Sequence, residues 1–307
     1  MSDLEQHLHD YLALRRALGY KLEHHERILP GLIAQVHAAG KGTITSQVAI
    51  DWAMATRSIP RAWADRLTCA RGFAAYLQTI DPATEIPPQG VFATRYQRPV
   101  PYIWSQLDIR RLLEAAGELE PALKAATMRA LFGVLAVTGM RVGEVVAITR
   151  DDVDLRAGVI TVRAQFAKHE RARLLPLHQT TIHALGDYAR RRDRLCAHPA
   201  AGTFFLAPHG NALDRHAVSR AMRKLTTQLG LRSDTVRPRT HDLRHSFAVR
   251  TLVDCQQAGE RVDERIAALS TYLGHVAPSD TYWYLTATPE LMGLAAQRLQ
   301  DRFGARS

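Results

Sequence analysis

The stretch RTHDLRHSFAV, residues 239–249, places two histidines and an arginine at helical spacing. His241 and Arg244 are three positions apart and His245 lies four positions after His241, so all three fall on one face of a helix. Two histidines at this spacing also occur in zinc-binding helices, but that motif has a glutamate directly after the first histidine, where this chain has Asp242. Because no cysteine or carboxylate partners stand at a matching spacing, the stretch does not predict a metal site.

A second stretch, TGMRVGE at residues 138–144, sets one arginine between two apolar helical segments. Glu144 follows Arg141 at the i+3 position, where it can form an ion pair on a helix. Taken alone, an arginine in this setting is more often part of a structural ion pair than of a functional site.

Two further stretches each carry candidate reactive groups. FAKHERARLLPL, residues 166–177, follows the alternating segment GVITVRAQF, and Lys168 lies in AKHE, the predicted turn of a hairpin. YLGHVAPSDTYWYL, residues 272–285, carries His275 and then Tyr284 nine positions later. A turn lysine is usually only solvated, so Lys168 alone indicates little.

The composition favours a polyanionic partner. The chain of 307 residues has 46% hydrophobic and 23% charged residues, as globular proteins do. Forty Lys and Arg against thirty Asp and Glu give a formal charge of +10 and a pI near 9.9. Such a surplus of positive charge attracts nucleic acid.

The sequence also indicates the compartment. No window approaches the roughly 18 apolar residues of a spanning helix, and the start does not resemble a signal peptide. The three widely spaced cysteines suit a reducing compartment. We expect a soluble cytoplasmic protein.

The periodicity predicts two domains. Residues 1–85 read as four short helices, and residues 86–101 are a proline-rich linker without sustained periodicity. Residues 102–307 read as mostly helical with one small antiparallel sheet, so the predicted fold class is mainly α with a small antiparallel β-sheet. Arg57, Arg61, Arg66 and Arg71 are expected to add a basic face to the bundle of the first domain.

The combined residue types indicate a metal-free phosphodiester cleavage. Two arginines can bind the non-bridging oxygens of one phosphate and supply the charge stabilisation that a divalent ion gives elsewhere. A tyrosine hydroxyl can attack phosphorus once it is activated, and histidine and lysine can move protons. We therefore expect neither a metal nor a cofactor, and in a basic protein the substrate is expected to be DNA.

Taken in order, TGMRVGE, AKHERARLLPL, HDLRHSFAV, YLGH and the trailing tyrosine resemble the tyrosine recombinase or phage integrase family, over residues 102–295. The helical first domain is similar to the family's core-binding domain, and residues 102–307 then form the catalytic domain with a C-terminal helix. The segment between Arg244 and His275 is longer than is common in the family, and CQQAGERVDER, residues 255–265, is expected to form a long loop there.

The resemblance implies a role for each residue. Arg141 and Arg244 bind the scissile phosphate, and Glu144 fixes the geometry of Arg141. Lys168 protonates the leaving 5′-hydroxyl. His275 hydrogen-bonds the phosphate, and Tyr284 is the nucleophile that forms a 3′-phosphotyrosine. The family's His-x-x-Arg pair corresponds to His241 and Arg244.

Tyr282 lies two residues before Tyr284. Residues two apart on a helix point in different directions, so Tyr282 is expected to be a packing residue.

The resemblance also implies the partners: double-stranded DNA recombination sites, a homo-tetramer on DNA with a dimer on each site, and accessory proteins. The expected location is the prokaryotic cytoplasm, at the nucleoid, and no membrane is involved. The protein would be an integrase or a transposase-like enzyme of a mobile element. A non-cleaving DNA-binding protein and a type IB topoisomerase remain alternatives, and the C-terminal helix docks either in cis or on a neighbouring subunit.

Overall fold

The computed structural model describes residues 3–56, 59–92, 100–166, 172–275 and 279–282, and the helical position of Gly293. The chain divides into two compact units, residues 1–98 and residues 99–307. The boundaries and roles that the sequence assigns to the two domains stay predictions. Among the described residues, no helix is long and apolar enough to cross a bilayer.

The first unit consists of helices in its described part, and the four predicted helices are confirmed. They are α1 (Asp3–Ala17), α2 (Glu23–Ala38), α3 (Ser46–Met54) and α4 (Pro60–Gln78). Thr45 caps α3 by accepting a hydrogen bond from the backbone N–H of Val48, and Pro60 occupies the first turn of α4, where its missing N–H is not needed. One apolar core joins the four helices and includes Leu29, Leu32, Ile33, Trp52, Phe73 and Leu77.

The second unit carries eight helices in its described part. They are α5 (Gln106–Gly117), α6 (Ala122–Thr138), α7 (Val142–Ala147), α8 (Gln179–Leu195), α9 (Arg215–Gln228), α10 (Thr240–Gln257), α11 (Val262–Leu273) and α12 (Ser279–Tyr282). Helix α6 packs against α5, α8 and α10, and most of its residues are buried because it is apolar on nearly every side. Ser105 caps α5 by accepting a hydrogen bond from the backbone N–H of Asp108.

A three-stranded antiparallel sheet completes the unit, in the order β1 (Val153–Asp154), β2 (Val159–Val162), β3 (Arg173–Pro176). The predicted fold class is therefore confirmed. Two details differ from the prediction. Strand β1 was not predicted, and β2 ends at Val162 because residues 164–166 form a 3₁₀ turn. The predicted turn AKHE lies outside the described residues.

The expectation of a long loop at residues 255–265 is wrong. Helix α10 continues to Gln257 and α11 begins at Val262, so only residues 258–261 connect them. Gly259, with a φ of +74°, provides the left-handed turn after α10. The polar residues on either side belong to exposed helical turns, which resemble a loop when only hydrophobic spacing is considered.

Candidate active site

The end of α6 and the start of α7 form the first wall of the site. Gly139 caps α6 with a φ of +60°, and a Cβ at this position would lie 2.6 Å from Cδ1 of Phe247. Glycine therefore satisfies both the left-handed turn and the close packing. Two residues later, Arg141 is the N-cap of α7, and the Glu144 carboxylate accepts its backbone N–H at 2.9 Å.

The side chains of Arg141 and Glu144 form the predicted ion pair. Arg141 Nη1 donates to Glu144 Oε1 at 2.9 Å, and Arg141 Nη2 donates to the carbonyl oxygen of Gly274 at 3.4 Å. Glu144 is 1% exposed and also accepts from Arg173 Nη2 at 2.6 Å. Burial alone would raise the pKa of Glu144, but hydrogen bonds and charge from Arg173 and Arg141 hold that pKa below its ordinary value.

Arg244 lies on α10 and is buried at the ends of two other helices. Its Nη1 donates to the carbonyl oxygen of Gly139 and its Nη2 to that of Leu273, both at 2.8 Å. These carbonyls lie at the C-termini of α6 and α11, where unsatisfied carbonyls and the helix dipole favour a cation. The C-termini of two other helices therefore hold the guanidinium of Arg244 in a fixed orientation.

His275 follows the C-cap of α11 and joins this network. Gly274, with a φ of +68°, ends the helix, and the His275 backbone N–H donates to the carbonyl of Ser270. Arg244 Nη2 lies 2.9 Å from His275 Nε2, and His275 Nδ1 lies 2.7 Å from the hydroxyl of Thr281. A guanidinium has no acceptor, so His275 Nε2 accepts, and Nδ1 carries the proton and donates to Thr281.

His241 lies at the start of α10 and is exposed to solvent. Its ring centroid is 4.7 Å from that of His245, with the ring planes at 87°. His241 and Arg244 both lie on α10 at the predicted spacing of three residues, with His241 exposed and Arg244 buried. Among the described residues, no cluster of three or more His, Cys, Asp and Glu side chains could hold a metal ion, and metal independence remains a prediction.

Two comparisons with known sequences identify the family of the chain. The family model described as "Phage integrase family" matches residues 105–290. The chain is also 41% identical to a putative integrase/recombinase, y4rB, of Sinorhizobium fredii (strain NBRC 101917 / NGR234), over the whole length of both proteins. The chain belongs to the phage integrase family. The predicted family and the predicted enzyme class, a tyrosine-type recombinase, are confirmed.

Solved structures of integrases share the fold at low identity. A Tn1549 transposon integrase in complex with a circular intermediate DNA matches with a TM-score of 0.64 and 17% identity, over 95% of this chain and 99% of that one. A lambda integrase dimer bound to a COC′ core site matches with a TM-score of 0.60 and 16% identity, over 91% of this chain and 76% of that one. At this identity the likeness establishes the fold alone.

Several residues that the sequence analysis predicts as site residues lie outside the described residues. They are Arg57, Lys168 and Tyr284, together with the C-terminal segment that was expected to dock in cis or in trans. Tyr282 ends α12, and 52% of its surface is exposed. Its predicted role as a packing residue is therefore wrong, because α12 directs the buried side chain of Thr281, not that of Tyr282, into the protein.

Three of the four arginines predicted to form a basic face lie on α4, and the fourth, Arg57, is outside the described residues. Arg61, Arg66 and Arg71 are five positions apart, so successive side chains are rotated by about 140° around a helix of 3.6 residues per turn. Arg66 is partly buried, with its guanidinium 3.9 Å from the Trp52 ring centroid and Nη2 donating to the Trp52 carbonyl. Whether any of these arginines contacts DNA stays a prediction.

Sequence reasoning missed Arg173. The available signal was its place in RARLLPL, where strand alternation puts it on the same face as the apolar Leu175. A charge at such a position needs a partner, and the structure supplies Glu144.

Proposed function

We propose that this chain is a site-specific DNA recombinase that cuts and rejoins DNA through a covalent 3′-phosphotyrosine intermediate on Tyr284, without a metal ion. The observation that carries the proposal is the convergence of Arg141, Arg244 and His275 from three separate parts of the chain. Membership of the phage integrase family agrees with this chemistry.

Arg141 and Arg244 would bind the scissile phosphate and stabilise the charge that develops on its oxygens. Each is held before DNA binds: Arg141 by Glu144 and the Gly274 carbonyl, and Arg244 by two helix C-termini. Donors that are fixed in advance need no reorganisation when the transition state forms. The two guanidinium groups would therefore supply the electrostatic stabilisation that a divalent ion supplies in metal-dependent enzymes.

His275 would change its hydrogen bond when the phosphate enters. Its Nε2 accepts from Arg244 in this structure, so it cannot donate to a phosphate oxygen in that state. A phosphate oxygen that takes over Arg244 Nη2 would release Nε2, and a proton on Nε2 could then bind the phosphate. The Thr281 hydroxyl both donates and accepts, so it can bond Nδ1 in either tautomer.

Tyr284 and Lys168 would perform the two steps of cleavage. The Tyr284 oxygen attacks phosphorus and displaces the 5′-oxygen of the next nucleotide, and Lys168 gives a proton to that oxygen. His241, close to Arg244 on α10, would assist in binding the phosphate or in accepting the tyrosine proton. The reverse reaction with a different 5′-hydroxyl joins the new strands.

The proposed partner is double-stranded DNA carrying a recombination site. The formal charge of +10 supports it, as does the likeness to an integrase dimer bound to a core site. By analogy, two protomers bind each site, and two sites assemble a tetramer, with accessory proteins setting direction. Affinity should fall steeply with salt concentration, since phosphate contacts release counterions.

The test uses a cognate site, selected from a random pool of DNA by binding to the full chain. A nicked suicide substrate built on that site is incubated with the protein in EDTA, and the product is analysed on an SDS gel. We expect a covalent protein–DNA complex. A strict requirement for Mg²⁺ would contradict the metal-free mechanism, and binding without any adduct would favour a non-cleaving DNA-binding protein.

A further inference from the structure

Arg173 is a charged residue at a core-facing position of a strand. Side chains alternate along β3, so Arg173 lies on the face of Leu175, which is fully buried, whereas Leu174 between them is 66% exposed. Only 10% of the Arg173 side chain is exposed. Arginine is rarely buried so deeply unless its charge is paired. The charge of Arg173 must therefore have a structural or functional reason.

The partner of Arg173 already has another cation. Arg173 Nη2 donates to Glu144 Oε2 at 2.6 Å, and the same carboxylate accepts the backbone N–H and Nη1 of Arg141. Two guanidinium groups around one carboxylate leave an excess of one positive charge. A purely structural ion pair would need only one arginine, whereas an excess of positive charge suits a site that receives an anion.

Arg173 also packs against the turn that precedes His275. A Cβ on Gly274 would lie 3.1 Å from Nη1 and 3.3 Å from Cζ of Arg173, so the guanidinium rests directly on the glycine. The carbonyl of that glycine accepts from Arg141. Arg173 therefore contacts both the carboxylate that holds Arg141 and the turn that presents His275.

The remaining donors of Arg173 are not satisfied by the described part of the protein. Within those residues, neither Nε nor Nη1 has a hydrogen-bond partner, although both atoms are buried. An unsatisfied buried donor is costly, and such groups in folded proteins call for an explanation. The presence of a guanidinium at this position despite that cost therefore calls for an explanation beyond the bond to Glu144.

We propose that Arg173 is a positioning residue of the phosphate site, which holds Arg141 through Glu144 and supports the Gly274 turn that presents His275. This inference rests on the proposed function.

The test compares three variants of the full chain with wild type on the nicked suicide substrate. Arg173→Gln removes the charge, and Arg173→Lys restores the cation. Arg163→Gln is the matched control, because Arg163 Nε donates at 2.5 Å to Asp152, another buried carboxylate of the same unit. For each protein we would measure the thermal midpoint, the Kd for the site, and the rate of covalent-complex formation at saturating DNA.

We expect Arg173→Gln to form the covalent complex about 10- to 100-fold more slowly, since a small displacement of a positioned group has an effect of that size. Its Kd should be unchanged, and Arg173→Lys should recover most of the rate. Arg163→Gln should lower the thermal midpoint but cleave at the wild-type rate. Cleavage by Arg173→Gln at the wild-type rate, or an equal slowing in Arg163→Gln, would overturn the inference alone. Absence of an adduct with wild type would overturn the proposed function and this inference together.

Discussion

The starts of α7 and α10 are built from the same local motif but hold their carboxylates differently. Glu144 and Asp242 each occupy the third position of their helix, each is 1% exposed, and each accepts the backbone N–H and the guanidinium of the N-cap arginine. Yet the pKa of Glu144 lies below its ordinary value, whereas burial raises the pKa of Asp242 despite Arg239.

The difference lies in the number and the exposure of the cations. Asp242 is paired with Arg239, whose side chain is 46% exposed and therefore screened by water. Glu144 is held by Arg141, which is 20% exposed, and by Arg173, which is 10% exposed. The same capping motif thus lowers the pKa of a buried carboxylate only where a second, largely buried arginine is added.

Replacing the N-cap arginine of each helix should give the largest difference between α7 and α10, in the rate of covalent-complex formation. If Arg141 binds the scissile phosphate, Arg141→Ala should slow covalent-complex formation by about 10³-fold or more, as loss of a transition-state arginine does. Arg239→Ala removes the equivalent capping arginine of α10 and should leave that rate close to wild type. The rates are measured on the suicide substrate at saturating DNA. Equal losses in both variants would mean that the motif matters only for folding.

Removing the carboxylates should affect stability in the same order. Glu144→Gln leaves two largely buried arginines without their anion and should reduce the free energy of unfolding by about 3 kcal/mol. Asp242→Asn should cost clearly less, because burial already disfavours the ionised form of Asp242. Urea unfolding at neutral pH measures both, and a larger loss for Asp242→Asn would reverse our interpretation of the two sites.

Arg173→Gln should make Glu144 resemble Asp242 by raising the pKa of Glu144. In wild type, this lowered pKa stabilises the fold above the unfolded value of about 4.3 and that contribution is lost as pH falls through the folded pKa. In Arg173→Gln, with the pKa of Glu144 raised above the unfolded value, ionisation of Glu144 opposes folding instead. The free energy of unfolding of this variant therefore increases as the pH falls through the raised pKa. NMR titration of the Glu144 side-chain carboxyl carbon measures the shift, and an unchanged titration in Arg173→Gln would show that Arg141 suffices.

The smallest effect is expected for an exposed ion pair with good geometry. Arg150 donates to both carboxylate oxygens of Asp193, but the two side chains are 58% and 41% exposed. Arg150→Ala should reduce the free energy of unfolding by less than about 1 kcal/mol, because water screens such pairs. A loss as large as that of Glu144→Gln would mean that burial does not explain the contrast between α7 and α10.

The sequence predicted the parts of this site that depend on local pattern. Residues 239–249 form the expected start of α10, and Arg141 forms the expected pair with Glu144, because both features follow from helical spacing. Arg173 could not be predicted in the same way, since its contact with Glu144 joins residues that are distant in sequence. The Arg244 bonds to two helix ends depend on tertiary packing for the same reason.

Other differences from prediction also have physical causes. Strand β1 has two residues, too few for a visible alternation. The polar helical turns at residues 255–265 lack the apolar spacing that predicts a helix. On α4, a spacing of five residues rotates each of Arg61, Arg66 and Arg71 away from the last, so helical spacing alone does not place them on one face.

The identity of the nucleophile is the most direct test of the proposed mechanism. Wild type, Tyr284→Phe and Tyr282→Phe would be incubated with the nicked suicide substrate and compared for a covalent complex that resists SDS. We predict that wild type and Tyr282→Phe form the complex and that Tyr284→Phe does not. A complex that persists in Tyr284→Phe and disappears in Tyr282→Phe would contradict the assignment of Tyr284.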